Sequence, residues 1–91
     1  MKAEAKVSQL INAKGNPANN QFLLSYADKQ VFQSYSTLIA EEHNNGQIVL
    51  DTDALNYSRT TSKHLFIFLG LNRREIETRV KKGLILVRDL N

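Results

Sequence analysis

The residues best suited to chemistry lie in one stretch near the middle of the chain, residues 57–64, which holds an arginine, a lysine, a histidine and four hydroxyl side chains besides that of the tyrosine at its start. If a helix begins at Thr61 or Ser62, the unbonded N–H groups of its first turn and the positive end of its dipole favour an anion, and the neighbouring cations add to that attraction. The candidate anion-binding residues of this stretch are Arg59, Thr60, Thr61, Ser62, Lys63 and His64.

A structural interpretation of the same stretch is the alternative. Thr60 or Thr61 would then be an ordinary helix N-cap. Arg59 would pair with a carboxylate such as Asp51 or Asp53. No glycine-rich loop accompanies the stretch, so a nucleotide-phosphate cradle is not indicated.

The charges of the chain are unevenly distributed. Residues 1–53 hold four lysines and six acidic residues, a net charge of −2, whereas residues 54–91 hold eight basic and three acidic residues, a net charge of +5. Every arginine lies in the second half, and arginine is the better residue for bidentate contacts with phosphate. The sequence therefore predicts a polyanion partner, with further contacts from Arg73, Arg74, Lys81 and Lys82.

The sequence contains few residues that could carry out catalysis. There is no cysteine, and the two histidines, His43 and His64, have no partner at metal-ligand spacing. His64 has hydroxyl neighbours on its own helical turn, which do not face it as a nucleophile and base must; a half-buried histidine bonded to the backbone is the expected role. We expect a binding protein rather than an enzyme, with no metal and no cofactor.

Length and composition favour one small domain, residues 1–91. The fractions of hydrophobic residues, 42%, and charged residues, 23%, are those of globular proteins. The first residues are too polar for a signal peptide, and the longest apolar run, residues 65–69, is too short to span a membrane. A cytoplasmic location is the expectation.

Strand-like segments fill the first half of the chain. Residues 7–11, 21–26, 30–35, 37–42 and 47–51 carry apolar and aromatic residues typical of strands. Residues 12–20, with glycine, proline and four asparagines, predict a loop. Asn44, Asn45 and Gly46 predict a tight hairpin turn, because asparagine and glycine tolerate a positive φ.

The second half changes to helical spacing. The hydroxyls at 60–62 are candidate N-caps for a helix over residues 63–69, which Gly70 would end. Asn72 would cap a second helix over residues 73–82, ended by Gly83, with ion pairs Glu75–Arg79 and Glu77–Lys81 on its surface. Residues 84–87 would return as a last strand.

These segments predict an α+β fold, in which an antiparallel β-meander of four to five strands packs with two C-terminal helices. The expected core residues are Leu23, Val31, Phe32, Ile39, Ile48, Leu50, Leu65, Phe68, Leu69, Ile76, Val80 and Ile85. Phe66 and Ile67 project away from Leu65 and Leu69, and a homodimer seam at these two residues is a hypothesis.

The second helix and the turn before it resemble one DNA-binding family. The sequence 69–73, LGLNR, followed by basic residues, is similar to the helix-turn-helix of the factor-for-inversion-stimulation type, in which a Leu/Met-Gly-Ile-Asn-Arg turn precedes a recognition helix. The resemblance implies that Arg74, Thr78 and Lys81 face outward toward DNA. Where that family has Ala or Gly one turn before the glycine, this chain has Phe66.

Three blocks along almost the whole chain resemble a second family. They begin at Gly15 (GNP…NQF), Val31 (VFQSYSTLIA) and Asn56 (NYSRTTSKH). Together they resemble an uncharacterised family of small proteins from phages, prophages and plasmids of Gram-positive bacteria. The resemblance implies a phage or mobile-element setting and supplies no activity or catalytic residue.

Three functions fit these observations. The first is a non-enzymatic phage or mobile-element accessory protein that contacts nucleic acid, or a host protein that handles nucleic acid, through its basic second half. The second is an anti-defence inhibitor that binds a host protein, and the third is sequestration of a phosphorylated small ligand by residues 59–64. The partner is thus nucleic acid or a host protein in the host cell cytoplasm, with no membrane and with a possible homodimer.

Overall fold

The computed structural model describes residues 5–91 and shows, within them, one mixed sheet of six strands with two helices. In chain order the elements are β1 (Lys6–Ile11), β2 (Pro17–Ser25), β3 (Lys29–Ser34), β4 (Thr37–His43), β5 (Ile48–Asp51), α1 (Arg59–Leu69), α2 (Arg73–Lys81) and β6 (Ile85–Arg88). The α+β class is confirmed. The predicted four to five strands are the meander, which has five, and the last strand expected at residues 84–87 joins the same sheet as a sixth.

The strands lie in the sheet in their chain order, β1 to β6. Neighbours from β1 to β5 are antiparallel, as a meander requires, whereas β6 runs parallel to β5. The parallel pair follows from the connection, because α1 and α2 carry the chain back along the sheet before β6 begins. α1 packs against β3 and β4, and α2 packs against β6.

The first hairpin corrects the predicted loop over residues 12–20. β2 already begins at Pro17, which pairs with Ile11, so the loop covers only residues 12–16. Proline is acceptable there because the first residue of a strand need not donate to the ladder. The Asn12 side chain closes the short loop by accepting hydrogen bonds from the backbone N–H groups of Lys14 (2.9 Å) and Asn16 (3.0 Å).

The start of α1 also differs from the prediction. The helix begins at Arg59 rather than Lys63, and Ser58 is its N-cap, with the Ser58 hydroxyl accepting from the Thr61 N–H at 3.3 Å. The Thr61 hydroxyl is turned inward to Ser34 (3.0 Å) instead. The first turn therefore belongs to the helix, and the predicted caps at 60–62 are wrong. Gly70 ends the helix with a φ of 67°, as predicted.

α2 begins as its sequence predicts. Asn72 and Glu75 form a reciprocal capping box, in which each side chain accepts from the other residue's N–H, at 2.8 and 3.1 Å. The predicted ion pairs Glu75–Arg79 and Glu77–Lys81 are not formed. Both ion pairs in the described residues lie in the meander. For Glu75 the reason is local, because its carboxylate faces the N-terminal end of the helix.

The core lies between the sheet and the two helices. Nine of the twelve predicted core residues are buried, while Leu23, Phe68 and Val80 are half-buried and pack against the core. The rings of Phe32 and Phe68 lie 5.9 Å apart across the two layers. Leu10, Ala40 and Ala54 belong to the core as well. Short alanines and an edge-strand leucine give too weak a periodic signal to predict their burial.

Phe66 and Ile67 were expected to form a dimer seam. Phe66 is half-buried and packs against the core, and Ile67 is 37% exposed, so the single chain already covers much of this pair. The homodimer stays a prediction. Across residues 5–91, the helices are too short and too polar to cross a membrane.

Candidate functional site

A cleft lies where the first two turns of α1 face the start of α2. Its volume is about 390 Å³. Three cations, two aromatic rings and one hydroxyl form its walls: Arg59, Lys63, Arg73, Tyr57, Phe66 and Ser62. We call these six residues the basic cleft.

One face of α1 supplies half of the basic cleft. Arg59, Lys63 and Phe66 are spaced four and three residues apart, which places them on the same side of a helix. The two cations are exposed, and Phe66 is half-buried with its base in the core. The apolar end of this face therefore anchors α1, while the charged end projects into the cleft.

Arg73 supplies the opposite wall from the first position of α2. Its Nη2 donates to the Leu55 carbonyl at 3.1 Å, and its guanidinium carbon lies 5.9 Å from the centre of the Phe66 ring. A guanidinium over an aromatic face is stabilised by the ring quadrupole. These two contacts fix the position of Arg73 and leave most of its five N–H donors for a ligand.

Tyr57 is held at the edge of the cleft by a carboxylate from β5. Its hydroxyl donates to Asp51 Oδ2 at 3.0 Å. Burial and this hydrogen bond raise the pKa of Tyr57 above its ordinary value of 10.0. The tyrosine therefore stays protonated and anchored at neutral pH.

The Asp51 carboxylate itself accepts four hydrogen bonds. It is buried, and it accepts from the N–H groups of Leu90 (3.0 Å) and Asp53 (3.2 Å) and from the Asn91 side chain (3.1 Å) as well as from Tyr57. Burial disfavours its charge, but these bonds together lower the pKa of Asp51 below its ordinary 3.8. Its oxygens are occupied, and no ion pair to Arg59 forms in the described residues.

The cations of the basic cleft are electrostatically free. In residues 5–91, carboxylates come within 4.0 Å of a basic group in two pairs, and both are at Glu41, with Lys29 (3.1 Å) and with His43 (3.0 Å). Arg59, Lys63 and Arg73 take part in neither pair. Three cations around one concave site, with two aromatic side chains in its lining, attract an anion that also carries flat apolar groups.

Two predicted site residues are buried and do not line the basic cleft. Thr61 is buried and bonded to Ser34. His64 is buried, and its Nδ1–H donates to the Thr60 carbonyl at 2.7 Å, because a carbonyl only accepts. The expectation of a backbone-bonded histidine is confirmed. Thr60 is exposed on the helix surface outside the cleft lining.

α2 divides the other predicted cations between two sides. Arg74 and Lys82 line a separate depression of about 400 Å³ together with Arg79. Lys81 lines a cavity of about 330 Å³ that it shares with Arg73. The basic residues of the second half therefore form a cleft with an extension toward Lys81, and a second patch on the far side of α2.

The helix-turn-helix resemblance is matched in part. Three residues, 70–72, join the two helices, and Arg74, Thr78 and Lys81 are exposed as that resemblance implies. Phe66 faces Arg73 in the cleft, in the place where the family has a small residue. Insertion of α2 into a DNA groove stays a prediction.

Sequence reasoning missed Tyr57 and Phe66. The spacing 59–63–66 was available as a signal for Phe66 once the helix start was known. No residue pattern indicates that Tyr57 is tied to Asp51, because that contact depends on the path of the loop between β5 and α1. Among the described residues, no group of three or more His, Cys, Asp or Glu side chains is placed to hold a metal ion.

Comparison with known proteins places this chain in a family. Residues 5–83 match the Family of unknown function (DUF8033), and the chain belongs to it. The matched region runs from the residue before β1 to the glycine after α2 and includes all of the basic cleft. Neither the curated proteins nor the solved structures contain a significant match.

Proposed function

We propose that this protein binds nucleic acid through the basic cleft and acts without catalysing a reaction. The observation that carries the proposal is the set of three cations, Arg59, Lys63 and Arg73, that converge on one cleft with no carboxylate partner in the described residues. Nucleic acid combines the two features that such a site selects, phosphates for the cations and bases for the rings.

Arginine geometry supports phosphate as the anion. The guanidinium of Arg73 is held in place by the Leu55 carbonyl and the Phe66 ring, so little side-chain freedom is lost when it binds. The exposed Arg59 and Lys63 stand on the neighbouring helix. Phosphates of a backbone are repeated, and Lys81 lies in the neighbouring cavity that shares Arg73 with the cleft and also contains Glu77.

The proposal includes a biological setting. The three sequence blocks that resemble small phage, prophage and plasmid proteins of Gram-positive bacteria support a phage or mobile-element accessory protein in the host cytoplasm. The third block, residues 56–64, contributes Tyr57, Arg59, Ser62 and Lys63 to the cleft. An inhibitor of a host protein that handles nucleic acid belongs to the same setting.

A second candidate function is sequestration of a phosphorylated small ligand. The volume of the cleft, about 390 Å³, lies in the range of small-molecule pockets, roughly 300–1,000 Å³. A mononucleotide or a cyclic dinucleotide would use the same cations and rings as a nucleic-acid chain. This candidate predicts binding that an oligonucleotide does not improve over a mononucleotide.

Charge reversal within the cleft tests the proposal. Arg59→Glu with Lys63→Glu should weaken binding of a labelled oligonucleotide, measured by fluorescence anisotropy, by roughly 100-fold or more, because two phosphate contacts become repulsions. The matched control is Lys6→Glu with Lys14→Glu, which changes the net charge equally at exposed residues of the meander. Equal weakening by both double variants would show attraction by net charge alone and would contradict a cleft site.

A protein partner gives a different outcome in the same system. Affinity capture from a host lysate with and without nuclease separates the two. Loss of the captured material on nuclease treatment supports nucleic acid. Capture of one protein that survives the nuclease, together with no oligonucleotide binding, contradicts the proposal.

A further inference from the structure

We infer that the nucleic acid taken by this protein is a single strand, whose successive bases stack on the Arg73 guanidinium that lies over Phe66, on Tyr57 and on Tyr35. The inference rests on the proposed function and makes it more specific. A double helix would use the cations of the cleft but would leave these rings without a partner, because its bases already stack on each other.

The three rings follow one another across the surface. Tyr57 lines the basic cleft, where Phe66 is also found, and it lines a neighbouring depression of about 240 Å³ that includes Tyr35. The shared tyrosine makes the two hollows adjacent, and a third depression that it lines, with Asp51, Asp53 and Asp89, is acidic and unsuited to phosphates. Phe66, Tyr57 and Tyr35 thus lie in this order from the junction of the two helices to the β3–β4 turn.

Tyr35 is the first residue of the two-residue turn between β3 and β4, a position that requires a positive φ. Its φ is 53°, in the left-handed region that tight turns usually assign to glycine, asparagine or aspartate. An aromatic residue here is strained. Burial does not offset that strain, because the residue is 62% exposed. An aromatic ring kept in solvent at a position that suits glycine or asparagine indicates a role toward a ligand.

Tyr57, unlike the exposed Tyr35, is held in place by a hydrogen bond. Its hydroxyl is bonded to the buried Asp51, so the ring between the two hollows is fixed before a ligand arrives. A preset ring costs less ordering on binding than a mobile one. Phe66 is likewise fixed, by the core beneath it and by Arg73 over its ring, and the planar guanidinium is the surface that a base meets there.

The chemistry of these groups selects unpaired bases. Base faces are accessible in single strands and hidden in a duplex, and proteins that bind single strands combine aromatic stacking with cations along the backbone. Each stacked base contributes roughly a factor of 5 to 150 in affinity. Arg59, Lys63 and Arg73 line the same cleft as Phe66 and Tyr57. The three cations would therefore meet the phosphates between the bases that are bound there.

Tyr35→Asn is the sharpest test. Asparagine tolerates the left-handed conformation, so the variant should melt at the same temperature as the wild type or higher. We expect it to bind a labelled DNA strand of about 12 nucleotides at least roughly fivefold more weakly. Its affinity for the same DNA annealed to its complement should not change, and the wild type should prefer the strand over the duplex by about tenfold or more.

Tyr57 offers a matched pair of variants. Tyr57→Phe keeps the ring and loses the bond to Asp51, whereas Tyr57→Leu loses the ring as well. We expect strand affinity to fall much more in the leucine variant than in the phenylalanine variant. Tyr26→Leu, which removes an aromatic residue that lines neither hollow, is the control and should bind normally.

The outcomes separate this inference from the proposed function. If charge reversal at Arg59 and Lys63 abolishes binding while Tyr35→Asn and Tyr57→Leu bind like the wild type, or if duplex and strand bind equally, the single-strand inference is wrong and nucleic-acid binding stands. If charge reversal changes nothing, both are wrong. Equal affinity for a mononucleotide and for the strand would contradict the single-strand inference and would favour a small-ligand site.

Discussion

Charged residues are used differently in the two halves of the molecule. In the meander, the Lys29 ammonium and the His43 ring both contact Glu41, so part of the charge there is offset within the fold. In the helical half, Arg59, Lys63 and Arg73 surround a cleft and meet no carboxylate among the described residues. Paired charges interact within the fold, whereas unpaired charges that line one concave surface remain available to a partner. We therefore expect the first set to contribute to stability, and the proposed function uses the second set for binding.

Acidification should give the largest effect on the meander side. Burial opposes the charge of both Asp51 and Glu41, but hydrogen bonds to each carboxylate prevail and lower both pKa values below 3.8 and 4.5. A carboxyl whose pKa is lower in the folded state stabilises the fold above its unfolded pKa and loses that contribution as pH falls through the folded one. The free energy of unfolding, from urea titrations, should therefore decrease steadily below about pH 4.5. A flat profile between pH 5 and pH 2 would contradict the assignment.

Asp51→Asn should be the most destabilising of the single charge changes. The asparagine keeps the shape but places an amide where N–H donors and the Tyr57 hydroxyl converge, and hydrogen bonds to a charged group contribute about 1.5–3 kcal/mol. We expect a loss of about that size in the free energy of unfolding. Asp28→Asn, at an exposed turn position, is the control. A loss of unfolding free energy no larger than that of the control would show that Asp51 does not anchor Tyr57.

Glu41→Gln should have a smaller effect. The side chain is 16% exposed and its partners Lys29 and His43 are 28% and 32% exposed, so water screens the pairs in part. A loss of about 1 kcal/mol in unfolding free energy is expected, and high salt should reduce it. Glu42→Gln, the next residue along β4, serves for comparison. If binding of the oligonucleotide fell along with stability, the division between the two halves would fail.

Neutralising the cleft should affect stability least. Arg59→Gln with Lys63→Gln removes two exposed charges that have no carboxylate partner in the described residues, so the free energy of unfolding should change by less than about 0.5 kcal/mol. The same variant should bind nucleic acid far more weakly. A marked change of stability, in either direction, would mean that these cations serve the fold.

Local signals in the sequence predicted most of the elements but not their arrangement. The Asn72 cap, the Gly70 helix end and the turn at Gly46 depend on neighbouring residues, and each is present. The parallel pairing of β6 with β5 depends on the path of the whole helical connection. α1 starts early because Ser58 is its cap, whereas the hydroxyl of Thr61, one of the predicted caps, bonds to Ser34 on a distant strand.

The sequence predicted the basic character of the candidate site but not the full set of residues that line it. Charge asymmetry identified the basic half, and Arg59, Lys63 and Arg73 were among the predicted residues that the structure brings together. Thr61 and His64 were predicted from their residue types, but burial turns them inward. The aromatic members went unnoticed because Tyr57 is positioned by a carboxylate from another element, which no local pattern reveals.

The dependence of oligonucleotide affinity on salt tests the central claim most directly. Each phosphate contact contributes about 0.7–0.9 to the slope of log affinity against log salt concentration. Arg59→Gln with Lys63→Gln should therefore lower that slope by about 1.4–1.8, while Lys6→Gln with Lys14→Gln, which removes two exposed charges outside the cleft, should leave it unchanged. An identical slope for the wild type and both double variants would contradict phosphate binding in the basic cleft.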